Sequence, residues 1–283
     1  MNAARSIPTP ITILNYHTIT DTPEPAMAPY AVSPNQLARH LDLIVAHRST
    51  VLTVSGLVDL LDRDVEPPPG TVVITFDDGY EDNLTVAAPL LVDRGLPATV
   101  FAATGFLPGC PGVWVTRPPG PMLPWDLLPE LEAAGIEVGA HSHSHPELDV
   151  LSRADAAREI RHSKALLENV LGHAVHSFAY PHGFASRWLR QDVRHAGFRS
   201  ACGVRNAFSH ARDDRWMLSR LTVNAMTTCD QIESYLQGRS APIAGARELA
   251  RTAAWRAARR AQDQFRPVPR WTGGVVACRA TPR

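Results

Sequence analysis

Apolar positions along the chain fall into short runs that end in polar residues and give way to helical spacing. Residues 11–16 (ITILNY), 71–76 (TVVITF), 98–102 (ATVFA), 136–140 (IEVGA), 177–180 (SFAY), 199–202 and 219–224 (SRLTVN) read as strands, with a shorter run at 50–53. Val, Ile, Thr and aromatic residues dominate them, as buried strands favour. Helices are predicted between them. Ser33 caps a helix over 34–48, with Pro34 in its first turn and Leu37, Leu41 and Ile44 on one face. Ser55 is read as the cap of a helix over 56–63. Asp82 or Asn83 caps one over 83–94, which Pro89 is expected to kink. Further helices span 125–134, closed by Gly135, and 152–171, where Ser152 and Asp155 resemble a capping box. The last two span 186–196, stopped by Gly197, and 228–237.

This alternation of strand, polar loop and helix predicts an α/β fold, a closed or nearly closed barrel. No glycine-rich turn follows the first strand, which argues against an open dinucleotide-binding sheet. The Pro- and Gly-rich segment 105–124, containing Trp114, is read as a loop on the rim of a site.

The pattern changes near residue 239. Residues 8–238 are assigned to the barrel and 239–283 to a basic, partly helical C-terminal extension. Residues 247–283 hold nine Arg against Glu248 and Asp263. The extension reads as a solvated appendage; a contact with a second subunit in a homo-oligomer, or with an anionic membrane surface, is the alternative. The 283 residues carry a formal net charge of zero, so nucleic acid is not an expected partner. The start has no run that suits a signal peptide, and no stretch is long and apolar enough to span a membrane; a cytoplasmic protein is expected. Cys110, Cys202, Cys229 and Cys278 lie far apart without a CxxC pair, which supports neither a disulfide framework nor a thiolate zinc site.

The candidate chemistry lies just past the strand ends. Asp77 and Asp78 follow VVITF and precede Gly79, which permits a sharp exit. His141, His143 and His145 follow IEVGA. If 141–145 make one helical turn, His141 and His145 face the same way and His143 points elsewhere. Two imidazoles and the Asp78 carboxylate suit one divalent ion, Zn2+ first, with Fe2+, Co2+ or Ni2+ as alternatives. Such an ion acidifies water and polarises a carbonyl. Asp77 is then the candidate base, and His17, past the first strand, the candidate acid, with His182 as the alternative.

TFDDG at 75–79 and HSHSH at 141–145 together resemble the first two motifs of the polysaccharide deacetylases of the NodB-homology type, carbohydrate esterase family 4. The resemblance covers roughly residues 11–235. It implies a distorted (β/α)7 barrel and a metal-dependent N-deacetylase acting on an N-acetylated amino sugar or glycan. Carried over, Asp77 is the base, and Asp78, His141 and His145 hold the ion. The Tyr80 N–H contributes to the oxyanion site. FAYPHG at 178–183 resembles the third motif, but Ala179 stands where an arginine commonly orients the base. Arg220 is the candidate replacement, and Tyr180 and His182 flank Pro181. No Leu-x-His lies near the end of the barrel. NYHTI at 15–19 instead resembles the N-terminal acid segment of the poly-N-acetylglucosamine deacetylase subgroup, which favours His17. Trp114, Trp125, Phe184 and Trp188 are candidates for a sugar groove. The alternatives are hydrolysis of another non-peptide C–N amide bond and a catalytically silent glycan-binding protein.

Overall fold

The computed structural model describes residues 8–110 and 120–245. Trp114 and most of the basic extension therefore lie outside the described residues. The chain runs β1 (Thr12–Tyr16), α1 (Pro34–Ala46), β2 (Val51–Leu52), α2 (Val54–Asp62), β3 (Val72–Asp78), α3 (Ala88–Val92), β4 (Ala98–Ala102) and α4 (Leu128–Ala133). It continues through β5 (Ile136–Ala140), α5 (Arg153–Leu171), β6 (Ser177–Ala179), α6 (Arg187–His195), β7 (Ser200–Val204), β8 (Leu218–Thr222) and α7 (Cys229–Leu236).

Every strand pair is parallel, and β1 pairs with both β3 and β8, which closes a ring of seven strands. The short β2 lies outside the ring, pairing with the start of β3 at Val51↔Val72 and Leu52↔Val73. The ring is weakest between β5 and β6, where the only residue pair in register is Ala140↔Phe178. The expected distortion is thus concentrated beside the histidine loop.

Strand alternation sorts the side chains. On β3, Val73 joins an inner cluster with Ile11, Ile13, Phe101, Ala179, Cys202 and Leu218, whereas Val72, Ile74 and Phe76 join the larger outer core beneath the helices. Leu57, Val58 and Leu61 of α2 belong to the inner cluster. Helix α2 therefore stops the N-terminal end of the barrel, and the opposite end carries the polar strand termini.

Helix starts follow local chemistry, with some departures from expectation. Ser33, Ser152, Ser186 and Thr228 cap α1, α5, α6 and α7 through their hydroxyls. The cap of α2 is Thr53, which accepts from the Gly56 N–H, and not Ser55; Ser55 is drawn to Glu137. Neither Asp82 nor Asn83 caps the helix after β3. Their side chains turn to the loop after β1, and Asn83–Ala87 winds as a π-helix before α3. Pro89 lacks the N–H that a regular turn would need there. The segment 141–145 is not a helical turn. Ser142 and His145 adopt left-handed φ values of 62° and 56°.

Candidate active site

Asp77 continues the inward series Val73, Thr75, and its carboxylate enters the barrel. In a regular strand Asp78 would point the opposite way. Its φ is instead +75°, followed by Gly79 at +88°, and this double left-handed step lets neighbouring carboxylates serve one centre. Sequence reasoning gave that role to Gly79 alone.

Arg220 of β8 is fully buried and grips Asp77 in a fork. Its two terminal nitrogens donate to the two carboxylate oxygens, each at 2.7 Å. Asn15 Oδ1, Thr75 Oγ1 and the Gly203 carbonyl accept its remaining hydrogen bonds at 3.1, 3.2 and 3.3 Å. Burial opposes ionisation of Asp77, but the guanidinium prevails and holds its carboxyl below the usual range. Arg220 thus occupies, from a different strand, the position beside the carboxylate that Ala179 cannot fill.

Asp78 Oδ1 lies 3.2 Å from His145 Nε2 and 3.5 Å from His141 Nε2. Ligand atoms of the three residues fall within 4.8 Å of one another, the one such group among the described residues. The donor set fits a divalent ion on two counts. Asp78 Oδ1 is buried and accepts no well-formed hydrogen bond among the described residues, so it is left for another partner. His141 Nδ1 lies 2.9 Å from the Ala179 carbonyl, which can only accept; this places the proton on Nδ1 and frees Nε2 toward Asp78. Burial drives His141 down to about 4, keeping it neutral as a ligand requires. Burial also pushes His145 downward, but the Asp78 carboxylate reverses this and raises it. His143 faces away: its Nδ1 lies 2.8 Å from Thr104 Oγ1 and its ring meets the edge of His162.

His17 sits over the same end of the barrel, where its charge would stabilise both Asp77 and Asp78. Its Nδ1 is buried without a hydrogen-bond partner among the described residues, and its ring lies 5.2 Å from that of Tyr30. The Asn83 amide donates to the His17 carbonyl at 2.9 Å, and Thr18 donates its hydroxyl to Asp82. The two residues expected to cap a helix therefore tie the β1 loop to the β3 loop, a role no local signal in the sequence disclosed. His182 is exposed, with its ring 4.8 Å from that of His145.

Tyr80 is buried beside Asp78, and its hydroxyl makes no well-formed hydrogen bond among the described residues. Its backbone N–H makes no hydrogen bond among the described residues. Tyr180 is not brought to the site. Its hydroxyl donates to the Trp216 carbonyl at 2.9 Å and its ring packs on Phe178. Trp125 is half-buried against the outer core. Trp188 packs on the same core.

Residues 64–201 match the sequence profile of the polysaccharide deacetylase family. The chain is 23% identical over 232 residues to YxkH of Bacillus subtilis, a polysaccharide deacetylase by name only; the match covers 81% of this chain and 77% of that protein. It is 30% identical over 130 residues to the chitin deacetylase of Colletotrichum lindemuthianum, covering 46% of this chain and 49% of the fungal one. Among solved structures, the Streptococcus pyogenes deacetylase PplD, determined with acetate, superposes with a TM-score of 0.71 at 21% identity. That superposition covers 83% of this chain and all of PplD, and the likeness is one of fold. By sequence profile the chain is similar to the polysaccharide deacetylases over nearly half of its length, and its fold is a NodB-type barrel.

Proposed function

We propose that this protein is a metal-dependent hydrolase that removes an N-acetyl group from an amino-sugar-containing substrate. One observation carries the reading. At one end of the barrel an ionised, immobilised carboxylate adjoins a second carboxylate paired with two imidazoles. The similarity to the polysaccharide deacetylase profile and to a chitin deacetylase supports the choice of bond.

Asp78, His141 and His145 would hold the ion, with Zn2+ favoured for an Asp-His-His set. When bound, such an ion supplies Lewis acidity, lowering the pKa of water and polarising a carbonyl. Asp77 takes the proton from the attacking water. Arg220 keeps this carboxylate ionised and fixes its direction, so that the base is in place before substrate arrives. The Tyr80 N–H, which makes no hydrogen bond among the described residues, would donate to the oxygen that gains charge as water adds to the acetyl carbon. His17 delivers a proton to the departing nitrogen. The C–N bond breaks, acetate and a free amine are formed, and one water is consumed.

Acetate release from a panel of N-acetylated amino sugars, glycan oligomers and small amides tests the proposal, with and without a chelator. Release from the sugars that stops with chelator and returns with added ion is expected. Release confined to the small amides would move the protein to hydrolysis of another C–N bond. No release from any substrate by ion-loaded protein would contradict the assignment.

A further inference from the structure

We propose that Glu159, on helix α5, is a positioning residue that clamps the loop carrying His141 and His145 in its ion-binding shape. The inference builds on the metal reading above. It assigns a function to a side chain that touches none of the ligand atoms named there.

Residues 141–145 have neither helical nor strand bonding of their own, so their backbone groups need partners elsewhere. The N–H groups of His143 and Ser144 both donate to one oxygen of Glu159, at 2.9 and 2.8 Å. The Ser144 hydroxyl donates to the other oxygen at 2.7 Å. The opposite side of the loop is held by the segment after β4. There the Thr104 and Gly105 N–H groups donate to the Ser142 and His143 carbonyls at 3.2 and 2.7 Å. A Cβ at residue 105 would stand 2.7 Å from the His143 oxygen, so only glycine allows this approach. Within the loop, the His145 N–H donates to Ser142 Oγ at 3.1 Å.

This bracing matters because the shape is intrinsically unfavourable. Ser142 and His145, neither of them glycine, hold left-handed conformations. Such conformations persist only where the surroundings over-determine them. His143 and Ser144 are buried, so without the carboxylate their N–H groups lose their acceptor and cannot turn to water in place. The loop then relaxes toward ordinary backbone angles, and the imidazoles of His141 and His145 part. The charge on Glu159 strengthens all three bonds; a glutamine there could keep the N–H pair on its oxygen and donate its NH2 to the Ser144 hydroxyl, but only as weaker neutral contacts.

The test compares wild type with Glu159→Gln, Glu159→Ala and Ser144→Ala. Zinc affinity is measured by competition with a chromophoric chelator. Amide exchange at His143 and Ser144 is measured in metal-stripped protein. Glu159→Ala should bind zinc at least about 10-fold more weakly and Glu159→Gln less so, and exchange at the two amides should accelerate in the same order. Ser144→Ala, which removes one bond of three, should lose less. If Glu159→Ala does not fold, Glu159→Gln and Ser144→Ala decide the matter. A folded Glu159→Ala protein with zinc affinity within twofold of wild type would overturn the proposal, even if its melting temperature fell; where that variant does not fold, Glu159→Gln and Ser144→Ala both within twofold would overturn it. Wild-type protein that binds no zinc would instead contradict the metal reading. The exchange rates alone would then decide whether Glu159 holds the loop: acceleration supports the clamp and unchanged rates overturn it.

Discussion

The two ends of the barrel each set a carboxylate among hydrogen-bond donors, half-buried at one end and buried at the other, and they treat it in opposite ways. At the end stopped by α2, Glu137 accepts from the Ser55 N–H and hydroxyl and from the hydroxyls of Thr99 and Ser177, at 2.6–3.0 Å. These donors are neutral and tie β4, β5, β6 and α2 together. At the other end Asp77 is matched by a fully buried guanidinium. Around it, among the described residues, Asp78 Oδ1, His17 Nδ1 and the Tyr80 hydroxyl make no well-formed hydrogen bond. Satisfied polar groups make a structural joint; buried polar groups left unsatisfied are costly, and a fold keeps them where something else is to bind. The division matches the general behaviour of parallel barrels, with chemistry beyond the C-terminal strand ends and stability at the other face.

The contrast can be broken most severely at Arg220. Arg220→Ala leaves Asp77 buried without its counter-charge and is expected to cost about 3–5 kcal/mol of stability. Chemical denaturation measures this, and turnover should fall in the protein that remains folded. His17→Ala should preserve fold and bound ion yet reduce kcat about 10²–10⁴-fold. A rate near wild type would transfer the acid role to His182 or to water.

A gentler probe is pH. His40 is fully buried, with its Nδ1 3.2 Å from the Tyr16 hydroxyl, and burial lowers it to about 4. Its folded value lies below the unfolded one of about 6.5, so the unfolded chain binds the proton first. The stability it contributes is fully present above about pH 6.5 and is lost as pH falls to about 4, amounting to roughly 3 kcal/mol at most. Denaturation midpoints of wild type and His40→Gln across this window should converge toward low pH. The smallest effect is expected at the closed end. Glu137→Ala should cost about 1–3 kcal/mol while the folded fraction keeps its kcat, a result that would set joint apart from site.

Much of this architecture was legible in the sequence because strand and helix periods are local. The helices over α1, α5, α6 and α7 begin one residue after the hydroxyl-bearing cap. Misreadings arose where a side chain that looked like a cap had a distant partner. Ser55 is taken by Glu137, and Asp82 and Asn83 by the β1 loop. The spacing of His141 and His145 suggested a helical turn, but the chain brings the rings together through two left-handed residues braced from β4 and α5. Arg220 could be nominated from its place on the last strand, whereas its fork onto Asp77 spans 143 positions and no periodicity reports it. Tyr180 looked equally suited to the site by its neighbours, yet one strand position turned it into the core.

The central claim is that Asp77 and Asp78, adjacent in sequence, have divided the work: one holds an ion and the other moves a proton. Metal content per chain in purified Asp77→Asn and Asp78→Asn, each loaded with zinc and desalted, tests it directly. The account predicts close to one ion per chain in Asp77→Asn with acetate release abolished, and almost none in Asp78→Asn. Equal occupancy in the two variants, whether both full or both empty, would contradict it.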